Sequence, residues 1–244
     1  MLEAALWGLA GGSSLLLGAA IGLARPLPPK LVGTIMGFGA GTLISALAFE
    51  LTEEAFTLGG ADAVAGGLAA GALAYFAGNE ALHRRHRAAS DRMSPTGDQA
   101  EASGSALLLG AVLDGIPESA VVGMSLLAGG GVAVPVLAAV FISNLPEALG
   151  AASGRARAEH NGRNVLGAWG AVTLGCGVSA ALGYALLDGA SGDAIGLVQA
   201  FAGGAVLTML VETMIPEALD QGGRVVGLTT VLGFACAYLL STLG

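Results

Sequence analysis

Eight runs of apolar residues divide the chain, at about 2–24, 31–52, 62–82, 103–127, 131–154, 165–187, 194–216 and 225–243. Each comes close to the ~20 residues a helix needs to cross a bilayer. Polar residues, Gly or Pro occupy every connection between them. Of 244 residues, 54% are hydrophobic and only 11% are charged, against about 25% charged in a soluble domain. The pattern predicts an all-α polytopic membrane protein with eight transmembrane helices in a single transmembrane domain. Strand-like alternation in ~10-residue blocks, which a membrane barrel requires, is missing. The 41 glycines include the spacings Gly18/Gly22, Gly37/Gly41 and Gly67/Gly71, which suit closely packed helices in lipid.

The basic residues orient these runs. Arg25 and Lys30 lie in the first connection, and Arg84, Arg85, Arg87 and Arg92 in the third. Arg155, Arg157 and Arg163 lie in the fifth, and Arg224 in the seventh. With eight spans all ten fall on one side, which the positive-inside rule makes cytoplasmic. The expected location is therefore the cell membrane, with the lipid bilayer as surroundings and both termini extracellular. The longest connection, 84–102, is expected to be a mobile cytoplasmic loop. Outer connections carry Glu53, Glu54, Asp62, Asp188 and Asp193. The N-terminal run has no basic residue before it and continues to Ala24, so it is expected to remain as the first span. Cys176 and Cys236 fall inside apolar runs and read as packing residues rather than a disulfide. A net charge of -8 does not favour nucleic acid as a partner.

Chemistry concentrates where acids meet prolines within apolar runs. Leu113-Asp114-Gly115-Ile116-Pro117-Glu118 lies halfway along the fourth run, and Ser143-Asn144-Leu145-Pro146-Glu147 halfway along the fifth. A charge at that depth costs about 2.5–3.5 kcal/mol on insertion scales, which makes an intramembrane carboxylate a functional candidate. On a helix Asp114 and Glu118 share a face, as do Ser143, Asn144 and Glu147 at spacings of four and three. Proline has no N–H to donate. Pro117, Pro146 and Pro216 therefore release the carbonyls of Leu113, Ile142 and Glu212. Carboxylates with released carbonyls are the oxygen ligands a divalent cation needs in place of water. An intramembrane enzyme fits less well. A phosphatase needs a basic clamp, which these runs lack, and an aspartyl protease needs a second membrane aspartate beside Asp114.

Two runs also resemble one another. Gly41, Glu50, Glu54 and Ala55 in the second parallel Gly204, Glu212, Glu217 and Ala218 in the seventh, which suggests an inverted repeat.

On these motifs the chain resembles the ZIP family of divalent metal permeases, along nearly its whole length. Asp114 to Glu118 is similar to that family's His-Asn-x-Pro-Glu/Asp stretch, and Ser143 to Gly150 to its His-Glu-x-Pro-His-Glu stretch. Glu50 and Glu212 stand where the family places ligands ahead of Leu-Pro-Glu-Ala or its counterpart. The resemblance implies a 3+2+3 inverted-repeat bundle, ligands in Asp114, Glu118, Asn144, Glu147 and Ser143, and approaches lined by Glu50 and Glu212. It also implies a homodimer in which helices one, four, five and six move as a block. Zinc is the default cargo, taken up into the cytoplasm, with no prosthetic group. Asp114, Ser143 and Glu50 replace family histidines, and the sixth run has no acid. These departures predict a single site and favour manganese or ferrous iron as alternatives to zinc. They also leave room for a relative that senses metal or protons without transporting.

Overall fold

The computed structural model describes residues 1–25, 27–90, 115, 118–128, 134–158 and 162–243. Among the described residues there is no strand. Helix α1 spans Leu2–Ala24, and α2 spans Pro29–Ala46 with prolines pre-set for its first turn. A π-helical turn, Leu47–Thr52, carries α2 without interruption into α3, Glu53–Ser90. Helix α4 covers 118–125 and ends in a 3-10 turn, Leu126–Ala128. There follow α5, Val134–Ala158, and α6, Gly162–Leu187. Ser191 caps α7, Gly192–Met209, by accepting the Ala194 N–H at 3.3 Å. A second π-helical turn, Leu210–Met214, leads into α8, Ile215–Gly222, and α9 is Val225–Leu243.

Five helical stretches among the described residues are long and apolar enough to cross a membrane: Leu2–Ala24, Pro29–Ala81, Gly162–Leu187, Gly192–Gly222 and Val225–Thr242. Most of the predicted run 103–127 lies outside the described residues. The 53-residue stretch Pro29–Ala81 is broken at Gly60, where φ 69° and ψ -173° suit glycine alone. Beyond Gly60 the chain reverses. Gly67 lies against Leu197 and Ala200, and Gly71 against Phe201 and Ala205, so this arm runs parallel to α7. By contrast Gly33 meets Ala218 and Gly222 while Gly196 meets Ala55 and Gly59, so the run from α2 to Gly60 is antiparallel to α7 and α8. Gly223, at φ 67°, makes the corresponding reversal between α8 and α9.

These two broken helices pack reciprocally. Gly33 and Gly196, Phe38 and Phe201, Gly41 and Gly204, and Gly60 and Gly223 are each 163 positions apart. Gly33 lies against the backbone of Ala218 and Gly222, and Gly196 against that of Ala55 and Gly59. Gly41 faces the Thr230 carbonyl and Gly204 the Leu68 carbonyl. Gly71 faces the Phe201 carbonyl and Gly233 the Phe38 carbonyl. Glycine is needed at such contacts because a Cβ would collide with backbone, which cannot yield as a side chain can.

Two cores result. The larger gathers Met36 and Leu43 of α2 and Leu47 of the first π turn with Val121 and Val122 of α4, Val140 of α5, and Val206 and Leu210 around α7. The smaller joins Leu15 of α1, Ala148 and Ala152 of α5, and Trp169 and Cys176 of α6. Helix α4 attaches to α6 through Gly123 against Ala180 and Gly183 against Ala120.

Two expectations change. Glu53 and Glu54 are not in an outer connection: the π turn leads straight into α3, so the helix continues to the Gly60 break. Nor does the loop begin at 84, because α3 runs on to Ser90. Arg84 there pairs with Glu80 at 2.6 Å on an exposed surface, an interaction worth less than about 1 kcal/mol. The remainder of the expected loop, 91–102, lies outside the described residues.

Gly204→Val should lower the thermal midpoint in detergent, with a cost of about 1–3 kcal/mol for overpacking. Gly66→Ala, in open space, should leave it unchanged or slightly raised. Differential scanning fluorimetry of the two variants checks this contrast.

Candidate metal centre

Helix α5 carries the centre of the site. Pro146 is fully buried within it and leaves the Ile142 carbonyl without its usual helical donor. One turn earlier, Gly39 of α2 comes up against the Ser143 backbone, so the two helices meet closely at that level. From the other side α4 supplies Glu118. Exposure is 2% for Glu118, 2% for Ser143 and 1% for Asn144, which places all three in the dry interior.

Ser143 Oγ lies 3.4 Å from Glu118 Oε2 and 3.0 Å from the Val140 carbonyl. A hydroxyl has one proton, and the shorter contact to Val140 competes for it. Asn144 Nδ2 is buried with no hydrogen-bond partner. Glu118 lines a crevice otherwise formed by apolar side chains, among them Leu43, Leu47 and Leu51 of the α2 run, Val136 and Val140 of α5, and Val206 of α7. Behind it, Cys176 Sγ contacts the Gly115 carbonyl at 3.8 Å, and Thr173 Oγ1 donates to the Gly12 carbonyl at 3.0 Å. Neither Cys176, which is buried, nor Cys236, which is exposed, is in a disulfide.

Thus Glu118 and Ser143 are brought together, with Asn144 next along the same buried stretch. Asp114 and Pro117 lie outside the described residues, as does the side chain of Glu147, although its backbone belongs to α5. Among the described residues there is no group of three or more His, Cys, Asp or Glu side chains placed to hold a metal.

Glu50 and Glu212 have different surroundings. Glu50 lies in the first π turn, half-buried, and lines a second crevice with Leu51, Glu54, Val121, Met124, Ser125, Val136 and Gln199. Glu212 lies in the second π turn but is exposed, and Asn79 Nδ2 donates to its Oε2 at 3.1 Å. At a separation of 163, Glu50 corresponds to Thr213, and Glu212 to Phe49. Thr213 lies 3.5 Å from the Tyr75 hydroxyl, while Phe49 packs on Phe234 and Tyr238 of α9. A shift of one residue turns a helical side chain by roughly 100°, enough to move an acid from an inner crevice to an outer face.

Gln199 and Glu54 belong to the second crevice and were not singled out as ligands from the sequence. The available signal was Gln199 itself, a lone amide in an apolar run. A π turn has no comparable sequence signal, yet such turns recur at functional sites because they re-aim side chains.

Asn144→Leu should leave the thermal midpoint of metal-free protein at or above that of the parent. Removing the buried Nδ2, which has no partner, relieves a penalty of about 1–3 kcal/mol. A clear fall in midpoint, measured in detergent with chelator present, would contradict the assignment of that nitrogen as unpartnered.

In sequence comparisons no protein-family model matches the chain, and no curated protein matches it.

Proposed function

We propose that the chain is a divalent-cation permease of ZIP-like architecture, with eight spans, inverted halves and a single central cargo site. The observation that carries this reading is the contact of Glu118 with Ser143 in the dry interior, next to the buried Asn144 and a proline that releases a carbonyl. The crevice that Glu118 lines adjoins Leu43 and Leu47, roughly halfway along the helical run from Pro29 to the Gly60 break. Oxygen donors at that depth suit a cation that has shed water. Asp114 and Glu147 would complete the ligand set. Zinc is the default cargo, and manganese or ferrous iron fit a donor set without imidazole.

Several features support the rest of the reading. Reciprocal packing of the two broken helices, with reversals at Gly60 and Gly223, favours an inverted repeat. The separate core shared by α1, α5 and α6, with α4 attached, favours a block that slides against α2, α3 and α7 to expose the site on alternate sides. Glu50 would line the outer approach. Glu212, already bonded to Asn79, would stand at the inner one. Arg84 at the far end of α3 suits a cytoplasmic face, with both termini outside and uptake directed inward. A homodimer would bury part of the exposed apolar surface.

Liposomes holding the purified protein and a metal-sensitive dye should take up Zn²⁺, Mn²⁺ or Fe²⁺. Glu118→Ala should reduce the initial rate to about a tenth or less, in line with losing a charged ligand, while the variant remains folded by size-exclusion chromatography. Binding without uptake by the parent would favour the sensor reading. Unchanged uptake by Glu118→Ala would overturn the central site.

A further inference from the structure

The second crevice is lined by four oxygen-bearing side chains: Glu50 and Glu54 from the π turn and the start of α3, Gln199 from α7, and Ser125 from the end of α4. Glu50 and Glu54 are half-buried and four positions apart, so both reach the same crevice. Gln199 is 2% exposed. Its amide hydrogen-bonds Glu54, and its Oε1 has no partner. An unsatisfied buried acceptor costs about 1–3 kcal/mol. Packing alone does not require it. The residue 163 positions earlier, Met36, occupies the corresponding place in α2 and is equally buried at 2%. An amide therefore replaces an apolar side chain on the one arm that faces two carboxylates.

We propose that Glu50, Glu54 and the Gln199 amide oxygen form an outer cation site for a hard divalent ion. Acceptors crowd this crevice, and a cation satisfies what further protein donors do not. The ligands are all oxygen, which suits Mn²⁺ better than a soft, thiophilic ion. The outer and central crevices share Leu51, Val121 and Val136. These three side chains form an apolar layer between Glu54 and Glu118. An ion held outside waits there until the layer parts; this staging role rests on the permease reading, whereas the binding site itself does not.

The test is Mn²⁺ titration of the purified full-length protein in nanodiscs, read by the electron paramagnetic resonance signal of free Mn²⁺. Two binding events are expected in the parent. Gln199→Met, which restores the residue type of the reciprocal position, and Glu54→Gln should each weaken one event by about 10–100-fold. Gln199→Met should also keep or raise the metal-free thermal midpoint, which separates lost binding from lost folding. If both variants titrate like the parent while Glu118→Ala loses an event, the outer site is overturned and the central reading stands. If Glu118→Ala titrates like the parent while Gln199→Met and Glu54→Gln lose an event, the outer site stands and the central reading falls. A parent that binds no Mn²⁺ overturns the outer site.

Discussion

A carboxylate held away from water, in the interior of a bundle whose outer surface is apolar, sets the terms for the rest of this structure. Glu118 is buried at 2% exposure beside Ser143, whose single proton is contested by Val140. Burying charge is expensive unless the surroundings supply compensation. Here the surroundings supply further oxygen: a hydroxyl, the adjoining Asn144 amide and the carbonyl freed by Pro146.

The frame around this group depends on close backbone approach. Gly33, Gly41, Gly196 and Gly204 let α2, α7, α9 and the arm beyond Gly60 meet backbone to backbone. In lipid, where apolar side chains gain little by leaving their surroundings, such contact supplies much of the association. The two π turns interrupt this regular frame at Glu50 and Glu212. By contrast α1, α5 and α6 have their own core around Leu15 and Trp169. A structure with two cores can slide one part along the other without dissolving either.

Some of this was legible in the sequence. Runs of about twenty apolar residues announce helices, and the helical, apolar character of the bundle follows from them. The spacing of Gly41 to Glu54 and of Gly204 to Glu217 signalled that the second and seventh runs are built alike. What the spacing could not convey is the orientation of each acid. Matching Glu50 to Glu212 ignores a one-residue offset, which on a helix separates an inner crevice from an exposed face. Glu54 looked like part of a connection because acids cluster there, but the π turn carries the helix through them to Gly60. Gln199 was overlooked because a single amide in an apolar run reads as ordinary sequence variation. Only its burial and the missing partner of its Oε1 give it meaning.

The central claim is that the buried oxygens on α4 and α5 surround a cation. Anomalous diffraction from crystals grown with Mn²⁺, collected at the manganese edge, addresses it most directly. The account predicts a peak within bonding distance of a Glu118 carboxylate oxygen, between α4 and α5. A well-ordered crystal whose manganese peaks lie only on exposed residues, with none near Glu118, would contradict it.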